Sequence, residues 1–583
     1  MKSVSPRKRL VFIASAATLL ISTAFTAGAQ AAPLPNCSDL APQLLKDSDI
    51  AAATAAIQPA ANGNLPYCSI NITVSHLAGP RNGYLAGQKQ QIGIAIGLPL
   101  NTVDGGSGGM QGNWNGRIQD LGGGGCFGVV SPPTFATNAG YAGSTTDTGH
   151  KSSGCAFALN PDGTLNWGLI RDFGFNGIHQ QTVWTKKLVH RYYGMNQKYA
   201  YWNGCSGGGY QGHVQSQRYP DEYDGIIAGD PTINWERTKP AQMWPSVVQN
   251  IYAGGFIAPA KTNAATQAAI AACDGLDGIR DGVLQDPRAC HFSAQTLVCT
   301  GAPTDPATCL TPGEATAIDK IWNGIIDHRN RRIFFGLERG TPLSPSLANF
   351  TGTPAGAPYT LGVDYFKDWI FRDPSFDWHT FTEDSLIDAM KLGEIKFHDV
   401  VAGDDPDLSA FQAHGGKMLG YFGLNSQLTL IRGTLNYYNR VTDRMGGLAN
   451  VQSFYREFPY PGNNHCLGNV NQPNAPLIST TTSGGNAGAY ATGDLFQSLV
   501  NWVEHGVAPD RIVAYNNLNP ALATVSRPIC KYPDKLVYIG SGSTNVASNF
   551  VCQREKHDPL IGEDLVVPDL GAKSDDDDRR DDE

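Results

Sequence analysis

The chain has 583 residues, of which 41% are hydrophobic, and it carries a formal net charge of −9. This length provides for a large core and for more than one domain. The negative charge, with no basic run beyond the N-terminus, argues against nucleic acid as a partner. Twelve cysteines favour an oxidising compartment and disulfide bonds.

Residues 1–31 have the features of a secretory signal peptide. A basic start precedes an apolar segment over 10–26, and small residues at 29 and 31 fit the cleavage rule. We therefore expect a secreted or periplasmic protein that begins near Ala32 and has no stable membrane insertion after cleavage. A membrane anchor is the alternative, which the short apolar segment disfavours.

Alternation of strands and helices over residues 32–231 predicts the first part of an α/β core. Residues 32–90 show few periodic runs, and no element is assigned there. Apolar patterning predicts strands over three later segments: 91–100, 139–150 and 224–230. A helix is predicted over 182–193, ended by Gly194.

The pattern changes over residues 232–404, where helical pieces and proline-rich loops indicate an inserted lid domain. Three lid aromatics could stack on a substrate ring, although a place in the lid core is favoured: Tyr365, Trp369 and Phe371. The second part of the core spans 405–570. Its predicted strands and helices cover four segments: 415–421, 434–441, 454–458 and 493–505. The charge-dense segment 571–583 predicts a disordered acidic tail.

The segment 198–210, KYAYWNGCSGGGY, predicts a strand, a tight glycine turn and a helix. Ser206 stands at the apex of this turn in a G-x-S-x-G pattern, which is typical of a serine nucleophile. The N–H of Gly207 would point toward a developing oxyanion. A second oxyanion N–H is expected from the glycine run after an early strand, with Gly123 and Gly124 as candidates. An incidental serine in a surface turn is the plainer alternative.

Far downstream, His465 is followed by Cys466, just as Ser206 is preceded by Cys205. A disulfide between these cysteines would hold the serine beside the histidine. This pairing resembles the tannase and feruloyl esterase family of serine esterases. Further matching motifs extend over most of the mature chain: NWNGRIQDLGGGG, STTDTGH, NGCSGGGYQG, DGLDGIRDGV, DPDLSAF, GGKML and NHC.

The resemblance implies an α/β-hydrolase core with a large inserted lid, rich in disulfides. Ser206 would be the nucleophile and His465 the base. The cysteine pairs that the resemblance and the spacing suggest are Cys205–Cys466, Cys37–Cys68, Cys273–Cys290, Cys299–Cys309, Cys530–Cys552 and, as the remaining pair, Cys126–Cys155. A reactive thiol at Cys126 stays open as an alternative.

A glycine-spaced acidic loop in the lid suits Ca²⁺, which prefers hard oxygen ligands. The spacing does not match an EF-hand. By resemblance, the ligands of this structural calcium are the side chains of Asp274, Asp277 and Asp281 with the carbonyls of Ile279 and Val283. A solvated acidic turn is the alternative.

The third member of the catalytic set departs from the family pattern. Relatives carry an Asp shortly after the GGK strand, whereas Ser426 stands at that position here. Asp404, Asp405 and Asp407 lie upstream and out of register. The family's acid is therefore not carried over, and a slow enzyme is expected.

The resemblance implies a secreted serine carboxylic-ester hydrolase whose substrate is a small phenolic or aromatic ester, such as a gallate, a feruloyl ester or a terephthalate monoester. A catalytically weak relative that binds aromatic compounds through its lid is the alternative. Acyl transfer to an acceptor other than water would use the same residues. The sequence leaves the particular ester and the oligomeric state open.

Overall fold

A computed structural model of the chain describes residues 34–75, 91–126, 128–152, 154–301, 305–344, 351–352, 356–466, 468–469, 471–477, 494–515, 525–555 and 558. The predicted signal peptide and acidic tail lie outside these residues. Within the described ranges, no helix has the length and apolar character needed to cross a membrane.

The described strands are Ile50–Gln58 (β1), Tyr67–Val74 (β2), Ile92–Pro99 (β3), Arg117–Leu121 (β4), Gly143–Thr146 (β5), Tyr199–Cys205 (β6), Gly225–Gly229 (β7), Ile325–Ile326 (β8), Arg332–Phe334 (β9), Lys417–Gly423 (β10), Tyr455–Tyr460 (β11), Arg511–Tyr515 (β12), Ser526–Cys530 (β13), Lys535–Tyr538 (β14) and Phe550–Gln553 (β15).

The described α-helices are Cys37–Leu44 (α1), Thr134–Thr137 (α2), Trp167–Arg171 (α3), Gly177–Tyr193 (α4), Gly207–Arg218 (α5), Trp235–Val248 (α6), Pro259–Cys273 (α7), Pro312–Asn323 (α8), Thr360–Asp364 (α9), Glu383–Val401 (α10), Ser409–His414 (α11), Ile431–Arg444 (α12), Leu448–Val451 (α13) and Leu495–His505 (α14).

A five-stranded parallel sheet forms the centre of the fold, in the order β11-β10-β7-β6-β4. Helices cover such a sheet, and its central strand β7, GIIAG, accordingly reads as a continuous apolar run whose every residue is buried. Parallel strands end at one edge, and ligands of such sheets bind outside that edge. The loops after β4, β6, β7 and β10 therefore meet there.

A second, antiparallel sheet has the order β1-β2-β3-β5. A parallel bridge between Ile118 and Ala142 connects it to the central sheet. The predicted strand 91–100 is β3. Sequence patterning assigned no element to β1, whose alanine-rich run IAAATAAIQ lies at the sheet edge and is mostly exposed.

The predicted helix over 182–193 is the C-terminal part of α4, which begins earlier, at Gly177. Gly194 ends it in the left-handed conformation, with a φ of 67°. This conformation is one that glycine adopts without steric cost.

The segment between β7 and β10 contains α6 to α11 and the β8–β9 hairpin, and it includes the predicted lid, 232–404. Helix α6 is its centre: all fourteen of its residues are buried, and it packs against α8, α9 and α10. Because α6 starts six residues after β7 ends, it is attached directly to the edge where the loops of the central sheet meet.

Candidate active site

Ser206 lies at the sharp turn between β6 and α5, as the sequence predicted. Its φ is 63° and its ψ −119°, a conformation that costs a non-glycine residue about 1–3 kcal/mol. The turn is tight because a Cβ on Gly204 would lie 2.3 Å from the carbonyl oxygen of Gly208. The serine hydroxyl is thereby placed at the carboxyl edge of the sheet.

His465 lies in the loop after β11 and is held against this turn by the Cys205–Cys466 disulfide, whose Cα atoms are 5.9 Å apart. The backbone N–H of His465 donates to the side chain of Gln427 at 3.1 Å. Ser206 and His465 line one cavity of about 530 Å³. The structure thus brings the predicted nucleophile and base into the same site.

Ser426 contacts the imidazole of His465, and a carboxylate lies close to the same ring nitrogen. Its Oγ lies 3.2 Å from Nδ1 of His465 and 2.8 Å from the hydroxyl of Thr429. Thr429 donates in turn to Oδ1 of Asp230 at 3.3 Å. That carboxylate oxygen lies 3.8 Å from Nδ1 of His465. A carboxylate therefore stands behind Ser426, at the distance of a long ion pair.

Asp230 directly follows β7 and is fully buried. Its second oxygen accepts the N–H of Cys466 at 2.8 Å, and Gly423 donates its N–H to Oδ1 at 3.3 Å. It also has a positive φ, of 36°, as does Cys466, of 52°. Asp230 thus connects the loops that follow β7, β10 and β11.

Burial governs the protonation of this pair. Burial raises the pKa of Asp230 to about 7, although the N–H groups of Cys466 and Gly423 oppose the shift. Burial also lowers the pKa of His465 to about 3, and the nearby Lys239 ammonium acts in the same direction. The resting imidazole is therefore neutral, the form that can accept a proton from a serine.

Asp230 was not among the predicted site residues, because the family's acid was expected in the register after the GGK strand. A signal was nevertheless present: Asp230 ends the predicted strand 224–230, one strand over from the serine. Asp404 lies elsewhere, with its carboxylate 2.6 Å from Arg440, and Asp407 pairs with Arg444.

The glycine run after β4 faces Ser206 across the cavity. The N–H of Gly123 is already used, since it donates to the side chain of Gln211 at 2.9 Å. Gly124 also lines the cavity, and open space surrounds the position of its absent Cβ. Of the two candidates for the second oxyanion donor, Gly123 therefore has its N–H occupied by Gln211.

Lys239 and Gln242 of α6 and Leu361 of α9 also line the cavity, together with Thr232 and Tyr359, which precede these helices. Two of the aromatic residues weighed as ring-stacking candidates, Tyr365 and Trp369, are fully buried. The indole N–H of Trp369 donates to the carbonyl of Cys155 at 2.8 Å. These two belong to the lid core.

All twelve cysteines are paired, and none is free. The bonds are Cys37–Cys68, Cys126–Cys155, Cys205–Cys466, Cys273–Cys290, Cys299–Cys309 and Cys530–Cys552. These are the pairs that the sequence and its resemblance suggested, and they leave no reactive thiol at Cys126.

In the acidic loop, the three carboxylates contact the loop's own amides. Asp274 accepts the N–H of Gly282 at 2.9 Å, Asp277 that of Ile279 at 2.9 Å, and Asp281 that of Val283 at 3.1 Å. Asp281 also pairs with Arg527. Within the described residues, the only three ligand-type side chains that converge within 4.8 Å are Cys205, Asp230 and Cys466, whose sulfurs are bonded to each other.

The parallel sheet, the strained serine turn between a strand and a helix, and the histidine on a later loop define an α/β-hydrolase. A profile of the family described as tannase and feruloyl esterase matches residues 110–553. The chain belongs to this family, which confirms the resemblance, and it is a carboxylic ester hydrolase.

Two relatives and two solved structures show how far the similarity extends. A "Probable feruloyl esterase" of Arthroderma benhamiae is 32% identical over 506 residues, which are 85% of this chain and 87% of the relative. A "Probable feruloyl esterase B-1" of Aspergillus fumigatus is 29% identical over 456 residues, 76% of this chain and 81% of the relative.

The crystal structure of feruloyl esterase B from Aspergillus oryzae has a TM-score of 0.74 at 24% identity, covering 88% of this chain and 99% of that structure. Tannin acyl hydrolase from Aspergillus niger has a TM-score of 0.72 at 22% identity, covering 90% and 94%. At this identity the structures confirm the fold.

Proposed function

We propose that the protein is a secreted or periplasmic serine esterase that cleaves small phenolic or aromatic esters through an acyl-enzyme on Ser206. The observation that carries the proposal is the strained Ser206 turn, bonded through Cys205 to the loop of His465 and opening into a cavity next to it.

The reaction would begin with attack of the Ser206 hydroxyl on the ester carbonyl. Since Nδ1 of His465 faces Ser426, Nε2 is the nitrogen left to take the serine proton. The N–H groups of Gly207 and Gly124 would stabilise the oxyanion. His465 would then return the proton to the leaving alcohol, and water would release the acid by the same route.

Asp230 would supply the negative charge that the family's acid provides elsewhere. A line of hydrogen bonds would keep Nδ1 of His465 protonated, because each hydroxyl can accept from one neighbour and donate to the next. It runs from His465 through Ser426 and Thr429 to Asp230. An ionised Asp230 would stabilise the imidazolium that forms in the transition state.

We also infer a structural calcium ion at the acidic loop. The donor set is made of oxygens only, as Ca²⁺ requires, and Oδ2 of Asp274 and of Asp277 takes no hydrogen bond within the described part of the chain. Asp274, Asp277 and Asp281 with the carbonyls of Ile279 and Val283 would hold the ion.

The six disulfides support export to an oxidising compartment.

The test uses the purified mature protein with p-nitrophenyl acetate, followed by methyl gallate, methyl ferulate and a terephthalate monoester. Ser206→Ala is expected to reduce hydrolysis to the buffer rate while circular dichroism stays unchanged. Activity that survives in a folded Ser206→Ala protein would refute the serine mechanism. The preferred ester in the panel identifies the substrate class.

A further inference from the structure

Lys239 is the only lysine, arginine, aspartate or glutamate among the described residues that line the Ser206 cavity. It projects from α6, and only 1% of its surface is exposed. Exposed lysines are ordinary, but a buried ammonium carries a large desolvation cost and is usually paired.

No carboxylate forms an ion pair with Lys239 in the part of the chain that the structure describes. Its Nζ donates to the neutral amide of Gln242 at 3.2 Å and lies 5.4 Å from the ring centre of Trp235. Gln242 is itself fixed, because its amide nitrogen donates to the carbonyl of Leu428 at 3.3 Å. The carboxylate of Asp364, the nearest influence of opposite charge, accepts the N–H of Cys155 instead.

The remaining wall beside this ammonium is largely apolar, with Tyr359, Leu361 and Leu428. In a cavity of this composition, a single charged group fixes the orientation of a ligand and selects its charge. Burial lowers the pKa of Lys239 to about 7, so an anionic ligand would also restore its full charge.

We propose that Lys239 is a specificity-determining residue, which binds a carboxylate carried by the ester substrate at a point remote from the scissile bond. The proposal rests on the proposed function and narrows its substrate class to acidic esters. The carboxylate would give Nζ the charged partner that its two present neighbours, the neutral amide of Gln242 and the ring of Trp235, do not supply.

The kinetic test compares monomethyl terephthalate with methyl 4-acetylbenzoate, a neutral ester of nearly the same shape. The measured quantity is the ratio of their kcat/KM values. We expect Lys239→Met to lower this ratio roughly 10- to 100-fold, since a hydrogen bond to a charged group is lost. Lys239→Arg should recover part of it. The matched control is Lys46→Met, which removes an exposed lysine outside the cavity and should leave the ratio unchanged.

A ratio that is the same in wild type and Lys239→Met would overturn the proposal. An unchanged ratio with equal losses of kcat/KM for both esters counts as the same result, because an effect of Lys239 on His465 alone acts on every ester alike. Lack of turnover of any ester by wild-type protein would instead refute the proposed function.

A binding measurement separates the two conclusions. Calorimetric titration of monomethyl terephthalate into Ser206→Ala needs no turnover, and Ser206→Ala with Lys239→Met is its partner. Binding that weakens at least tenfold in the double variant supports the proposal. Equal binding by both proteins contradicts it.

Discussion

The replacement Asp230→Asn tests whether the carboxylate behind Ser426 has taken over the role of the missing acid. Oδ1 of Asp230 lies 3.8 Å from Nδ1 of His465. At an effective dielectric constant of about 20, two unit charges at that distance attract by about 4 kcal/mol, which corresponds to about 10³-fold in rate. Because Ser426 remains to orient the ring, we expect kcat to fall by about 10²- to 10³-fold.

The pH dependence gives a second, independent measurement. Only ionised Asp230 stabilises the imidazolium, and burial raises its pKa to about 7. Wild-type kcat/KM on p-nitrophenyl acetate should therefore fall as the pH drops below about 7. The Asn variant, which has no titrating group at this position, should lose that acidic limb along with most of its activity.

Stability should move in the opposite direction to activity. The pKa of Asp230 is higher in the folded protein than the ordinary value of 3.8, so the folded state binds the proton more tightly. Wild-type stability then falls as the pH rises from about 4 to about 7, by up to about 4 kcal/mol. Relative to wild type, Asp230→Asn should gain stability over this window, as measured by Tm at each pH.

Asp120→Asn is the matched control. Asp120 is likewise fully buried, and burial raises its pKa to about 7, but it hydrogen-bonds Ser144 and Tyr223. This variant should show the same stability trend and keep the acidic limb. If Asp230→Asn retains both kcat and the limb, Ser426 alone orients His465, and the catalytic role of Asp230 is refuted.

Three further predictions concern the same site and the acidic loop. Ser426→Asp alone should give no gain in kcat, because a second carboxylate beside buried Asp230 is repelled and binds a proton. In an Asp230→Ala background, the same Ser426→Asp change should raise kcat. A gain in the single variant would contradict this explanation. Replacing Cys205 and Cys466 by Ala should lower turnover about 10²-fold while the circular dichroism spectrum stays unchanged, since misplaced reacting groups are costly. Full activity without the disulfide would refute this prediction. Exhaustive chelation should lower Tm and affect turnover only secondarily, and an unchanged Tm, with metal analysis, would argue against a bound calcium ion.

Strand β7 could be predicted because it is buried along its whole length and reads as an apolar run, GIIAG. The predicted strand 224–230 differs from β7 by one residue at each end. In contrast, β1 and β2 pair only with their own antiparallel neighbours, and β1 is largely exposed. Its alanines carry little of the alternation that would reveal a strand.

The site shows the same division. Ser206 and His465 could be found because the flanking glycines and cysteines mark them along the chain. Asp230 and Lys239 have no such mark, since the roles proposed for them depend on residues more than 200 positions away: Asp230 on Cys466 and Lys239 on His465. Contact between distant loops decides their roles, and local sequence does not encode it.

The close approach of the glycine loop to the serine turn determines where the catalytic cavity can be redesigned. A methyl group on Gly122 would lie 2.4 Å from the Cα of Gly208, so neither backbone can retreat without moving the other. At Gly124, a new side chain would meet no atom within 4 Å, and its N–H would keep its place. Laboratory evolution of this scaffold toward bulkier or smaller esters should therefore accept substitutions at Gly124 and reject them at Gly122.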